Sequence, residues 1–194
     1  MLTRILVPAA VTGLLLSAAV GVAPAAAQQN AVLATDSIFI LTAASTGLLQ
    51  AKLGKLAGEK GSSPSVKEFG KRMAADYAKV NEELAAAAKQ AAYPRPVLLR
   101  DDKKVADRFS GMDRATFDKA YMTEMLKQHD EQVELFRQES EKGKVLSLKQ
   151  IASKMLPELE QRLSLATETA RSVGADVTAT SSATGGRRAG AGSN

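Results

Sequence analysis

Four stretches of this chain place apolar side chains every three or four residues, and that spacing points to a helical fold. The first runs from about Asp36 to Gly61, with Ile38, Thr42, Ser45, Leu49, Leu53 and Leu56 on one side. The second opens at Ser63-Pro64, a hydroxyl cap followed by proline at the first helical position, and carries Val66, Phe69, Met73, Tyr77, Val80, Leu84 and Ala88. The third begins at an N-cap, Asp113, and runs to Gly143; its stripe is Asp118, Met122, Met125, Leu126, His129, Val133 and Phe136. The fourth spans Val145 to Val173, with Leu148, Ala152, Met155, Leu159, Leu163, Ala166 and Ala170 inward. Pro157 is expected to kink it, because the proline ring displaces a backbone hydrogen bond.

Amphipathic helices of this length, about 38 Å at about 1.5 Å per residue, bury their apolar faces against one another. Only one connection is long, Tyr93 to Met112, where Tyr93-Pro94-Arg95-Pro96 reads as an extended crossover leading into a short helical turn at Lys103 to Phe109. The expected fold is all-α: an up-down-up-down four-helix bundle with one long middle connection.

The ends of the chain read differently. Arg4, the apolar run Ile5 to Val22 and the small-residue site Ala25-Ala26-Ala27 have the layout of a cleaved export signal. Ala175 to Asn194 is Ala, Gly, Ser and Thr with Arg187 and Arg188, too poor in large apolar groups to offset its ordering entropy. The domain reading is therefore a signal peptide over 1–27, an N-terminal extension over 28–34, the bundle over 35–174 and a disordered tail over 175–194. No later stretch is apolar enough to span a bilayer, and a signal with an Ala-x-Ala end leads to the expectation of a mature protein in the periplasm or another exported location. The absence of cysteine suits an oxidising compartment. The net charge of +5 loses three arginines with the leader and the tail, and what is left is too weak a bias to imply nucleic acid.

Composition narrows the chemistry. Without cysteine and with a single histidine, the chain has no thiol nucleophile, no thiolate metal site and no two-histidine zinc helix. No nucleophile, base and orienting group stand at a recognisable spacing, so no catalytic residue is assigned. His129 lies near the middle of the third apolar stripe, but Leu126, three residues before it, breaks the Glu-x-x-His pattern of carboxylate-bridged di-iron bundles. Polar groups near the inner faces are Lys52, Asp76, Tyr77, Asp118 and Arg162. An unpaired buried charge is costly, so Asp76 or Asp118 is expected to pair with Arg162. With His129, the inward methionines Met73, Met122, Met125 and Met155 offer soft ligands of the kind copper(I) takes.

The runs Leu53-Gly-Lys-Leu-Ala57, Ser63-Pro-Ser-Val-Lys-Glu-Phe69 with Met73-Ala-Ala-Asp76, Phe117-Asp-Lys-Ala-Tyr121 with His129, and Met155-Leu-Pro157 resemble the domain of unknown function 4142 family. The resemblance covers Thr35 to Ser172. It implies an exported bacterial protein with a ferritin-like four-helix fold, and it implies no activity. Of the family's polar positions, His129, Asp76 and Asp118 match, and these three are the candidate metal ligands. Tyr77 stands where the family usually has His, Gln50 and Lys52 where it has a Glu pair, and Arg162 where His is frequent. Ligands have been exchanged for cations and a phenol, which weakens the expectation of any cofactor. The leading functional reading is a non-enzymatic exported bundle acting through an envelope protein or an anionic polymer, including under stress. The alternative is a ferritin-like protein binding iron, manganese or copper at a degenerate site around His129.

Overall fold

A computed structural model describes residues 25–178, with side chains from Thr35 onward. Among the described residues there are five α-helices and no strand: α1 (Ala25–Lys60), α2 (Pro64–Gln90), α3 (Arg100–Ser110), α4 (Arg114–Lys142) and α5 (Leu146–Ser172). The export leader expected over 1–27 lies outside the described residues except for Ala25 to Ala27, and so does the tail from 179 onward. The first helix begins ahead of the start near Asp36 that the stripe suggests. The segment from Ala25 to Thr35 contains neither glycine nor proline, and the helix already runs through it. Just beyond α5 the chain stays against the bundle. Ala175 N–H donates to the Ala170 carbonyl at 3.0 Å, and Ala175 and Val177 pack against the core.

Helix directions follow from the contacts. Gly54 lies against Gly70 and Gly47 against Asn81, so α1 and α2 form an antiparallel hairpin. Gln50 meets Gln128 and Phe39 meets Phe136, which sets α4 antiparallel to α1. Asp76 meets Arg162 and Glu83 meets Lys154, which sets α5 antiparallel to α2. Tyr77 meets Gln132 while Phe69 meets Tyr121, so α2 and α4 run the same way. Each long helix packs on two others in a closed ring, α1 on α2, α2 on α5, α5 on α4 and α4 on α1, with α3 against α1.

The chain order is therefore up-down-down-up, not up-down-up-down. The cause is the long connection. It leaves the end of α2, is tied to α1 where Ser45 accepts from Leu99 N–H at 2.8 Å, and runs on as α3 to the far end. There Lys60 Nζ donates to the carbonyls of Ser110 and Met112. Having recrossed the length of the molecule, the chain enters α4 in the direction of α2. The short turn expected at Lys103 to Phe109 is a full helix, with Ala106 and Phe109 buried.

The predicted stripes of α2, α4 and α5 mostly face the core, with Leu163 only half-buried. α1 departs from its stripe. Ile38 is 62% exposed, and Phe39, Ile40, Ala43 and Ala44 are buried in its place. Three neighbouring helices contact α1, so its buried face is rotated and wider than a single stripe. Pro157 sits on the exposed side of α5, and the helix continues through it. Neither Ser63 nor Asp113 makes a side-chain cap bond, although each occupies the N-cap position.

Candidate functional site

The middle of the core is polar where the two helical hairpins meet. His129 on α4 is fully buried, and its Nδ1–H donates to the Met125 carbonyl at 2.8 Å. That bond fixes the tautomer and leaves Nε2 bare, 3.4 Å from the Tyr77 hydroxyl. Tyr77 on α2 is also fully buried, and its hydroxyl donates to Gln132 Oε1 one turn along α4. Phe69 packs edge-on against His129, with ring centroids 6.3 Å apart. Burial drives the His129 pKa down to about 4, the Met125 hydrogen bond opposes this, and the nearby Arg162 charge adds to it. Burial likewise pushes the Tyr77 hydroxyl above the ordinary phenol range, against the pull of Arg162. Both rings are neutral throughout the physiological range.

Arg162 reaches this region from α5. Its side chain is only 9% exposed and its guanidinium lies over the Tyr77 ring, 5.4 Å from the centroid. It pairs with Asp76 at 3.7 Å and with Glu158, one turn back, at 3.0 Å. Asp76 also meets Arg72 at 3.7 Å. Of the two acids expected to pair with Arg162, the structure brings up Asp76. A shallow cleft of about 210 Å³ opens beside this pair between α2 and α5, edged by Lys79, Glu83 and Lys154.

Two of the residues named from the sequence lie elsewhere. Lys52 is exposed on the outer face of α1, because the core-facing arc at this level is taken by Leu49, Gln50 and Leu53. Asp118 lies at the end of the molecule, by the α1–α2 turn. Its carboxylate accepts from Ser62 N–H at 3.0 and 3.2 Å and from Ser63 N–H at 2.7 Å. It shares an azimuth with His129, but eleven residues of helix put it about 16 Å away along the axis. His129, Asp118 and Asp76 therefore do not form one ligand set. Among the described residues no group of three or more His, Asp or Glu side chains is placed to hold a metal ion. Asp118 works instead as a cap supplied from another helix, holding amides that open α2. Asp118→Ala is expected to cost about 1–2 kcal/mol in urea unfolding, and Asp118→Asn to recover part of that.

Other polar core groups escaped sequence reading. Gln50 donates to Gln128 at 2.8 Å and so bridges α1 to α4. Gln132 falls three residues beyond His129 and four before Phe136, so its place on the inner face could have been read from spacing. Asp36 and Glu139 are both buried at the opposite end from Asp118. Tyr121 is buried in a cluster with Phe69, Phe109 and Phe117, and its hydroxyl has no hydrogen-bond partner.

Chemically, the centre holds a neutral imidazole, a neutral phenol, an amide and a paired guanidinium. His129 Nε2 and the buried methionines Met73, Met122, Met125 and Met155 are the groups that would suit a soft ion. Of the acids close by, Asp76 is committed to two arginines and Glu158 to Arg162. Comparison with curated proteins and with solved structures returns no match. Residues 21–169, covering all but the ends of the chain, match the family described as Domain of unknown function (DUF4142), and the chain belongs to that family.

Proposed function

We propose that this chain is an exported periplasmic protein with a ferritin-like four-helix bundle, and that it acts by contact with an envelope protein or an anionic polymer rather than by catalysis. One observation carries the reading: the Arg162 guanidinium lies over Tyr77 in the position where a metal-binding bundle needs negative charge. A fixed cation raises the cost of bringing a metal ion to His129 Nε2, and Asp76 is already neutralised by Arg162 and Arg72. The ring of four antiparallel neighbours supports the bundle, and the crossover between the parallel α2 and α4 supports the ferritin-like connection. The α1–α2 hairpin presents Lys52, Lys55 and Lys71, all exposed, as contacts for an anionic partner.

Elemental analysis of the full chain, produced with its own leader and recovered from the periplasm, tests this after loading with iron, manganese or copper and desalting. Retention below about a tenth of an equivalent is expected, with Gln28 as the first residue of the recovered protein. Near-stoichiometric metal that disappears in His129→Ala would replace the contact reading with the metal-binding one.

A further inference from the structure

At the end of the bundle opposite Asp118, α1 meets the turn between α4 and α5 through two acids. Asp36 is 0% exposed and Glu139 is 3% exposed. Both carboxyl groups close on the same turn, Asp36 against Lys144 and Glu139 against Gly143, and a proton on Glu139 would let the two hydrogen-bond. Asp36 Oδ1 also accepts from Lys144 N–H at 3.0 Å, drawing in the first residue beyond Gly143. Asp36 Oδ2 and Glu139 Oε1 are buried with no hydrogen-bond partner. The turn closes directly on the pair, and a Cβ at Gly143 would run into the Glu139 carboxyl. Facing Glu139 are Asp36 from α1 and the Lys149 charge from α5; the Lys149 ammonium donates to the Glu141 carbonyl at 3.1 Å.

We propose that Asp36 and Glu139 are a proton-held latch, fastening α1 at the level of Asp36 to the α4–α5 turn and freeing that end when the Glu139 proton leaves. Two carboxylates cannot both ionise in a site this dry without separating or admitting water. Burial, followed by the hydrogen bond and the charge of Asp36, raises the Glu139 pKa to about 8, while Lys149 opposes the shift. The latch is closed in neutral and acidic surroundings and opens in mildly alkaline ones. Nothing in the core centre shares this behaviour, because His129 and Tyr77 keep their protonation states across that range.

Hydrogen–deuterium exchange of the full chain at about pH 6 and about pH 9, corrected for intrinsic rates, tests the latch. Protection over residues 36–44 and 136–148 is expected to drop at least about tenfold more than that of the α2 core around Leu84. Glu139→Gln, whose amide can donate to Asp36 at any pH, should abolish the difference, and Asp36→Asn serves the same purpose if the first variant folds poorly. An end that stays closed at the higher pH, or one that opens equally in the folded variants, would overturn the proposal.

Discussion

Gly70→Ala should destabilise the protein by about 2 kcal/mol, although the same substitution in an open helix face gains about 1 kcal/mol from propensity. The reason is the closeness of α1 and α2. A Cβ on Gly70 would lie 2.5 Å from Ala57 Cβ, 2.7 Å from the Gly54 carbonyl and 3.1 Å from the Gly58 amide. Two of those three atoms are backbone and cannot swing aside, so the helices must separate and loosen the packing of Leu53, Val66 and Met73 around them. The matched control is Gly58→Ala, one turn from Gly54 on α1. Its new Cβ would meet only the Lys71 side chain, at 3.3 and 3.9 Å, and that chain is exposed and free to move. Here propensity wins, and a gain of roughly 0.5–1 kcal/mol is expected. Urea unfolding of the two variants should move the midpoint in opposite directions. A loss of stability in both, or a gain in both, would mean that the glycine crossing does not set the hairpin spacing.

Acid should weaken the fold through His129. The imidazole has its unperturbed pKa of 6.5 in the unfolded chain and about 4 in the native protein. Between those values the unfolded state binds the extra proton, so stability rises with pH across that window and is lost as pH falls through it. The contribution is fully present above about 6.5 and gone below about 4, a swing on the order of 3 kcal/mol for a group with no exposure. His129→Asn keeps an N–H for the Met125 carbonyl and has nothing to titrate. Stability measured by urea midpoint from about pH 7 to about pH 4 should therefore show a shallower acid limb in the variant than in the native chain. Parallel limbs in the two proteins would assign the acid sensitivity to carboxylates instead.

What could be read in advance follows from how local each feature is. The stripes of α2 and α5 depend on one dominant packing direction, and spacing alone recovers them, including Tyr77 and Met155. α1 touches α2, α3 and α4, so its buried arc includes Phe39, Ile40 and Gln50 that a single stripe leaves out, and Lys52 falls outside it. Direction was harder still. A connection of the length of Tyr93 to Met112 permits either a return to the same end or a passage to the other. What decides it is a set of long-range ties, Ser45 to Leu99 and Lys60 to Ser110, that no periodicity encodes. For the centre, the polar residue types were legible, and so was the need of Arg162 for an acid. The choice between Asp76 and Asp118 was not, because spacing along one helix does not give its register against another. The same limit hid Glu139, whose partner Asp36 comes from the far side of the chain.

The distribution of polarity also bears on how the chain assembles. Within the α1–α2 hairpin the central contacts are small and apolar, Gly54 on Gly70 and Ala57 on Gly70. Gln50 with Gln128, Tyr77 with Gln132 and Asp76 with Arg162 all lie across the seam between that hairpin and the α4–α5 hairpin. Each hairpin can thus collapse from contacts close in sequence, early and with little discrimination. Docking of the two halves is the discriminating step. A slip of one turn would leave the Arg162 guanidinium and the Gln50–Gln128 amide pair buried without partners, so the native register is favoured over its neighbours. The polar seam thus selects one register of the two hairpins, whatever the fold is later used for.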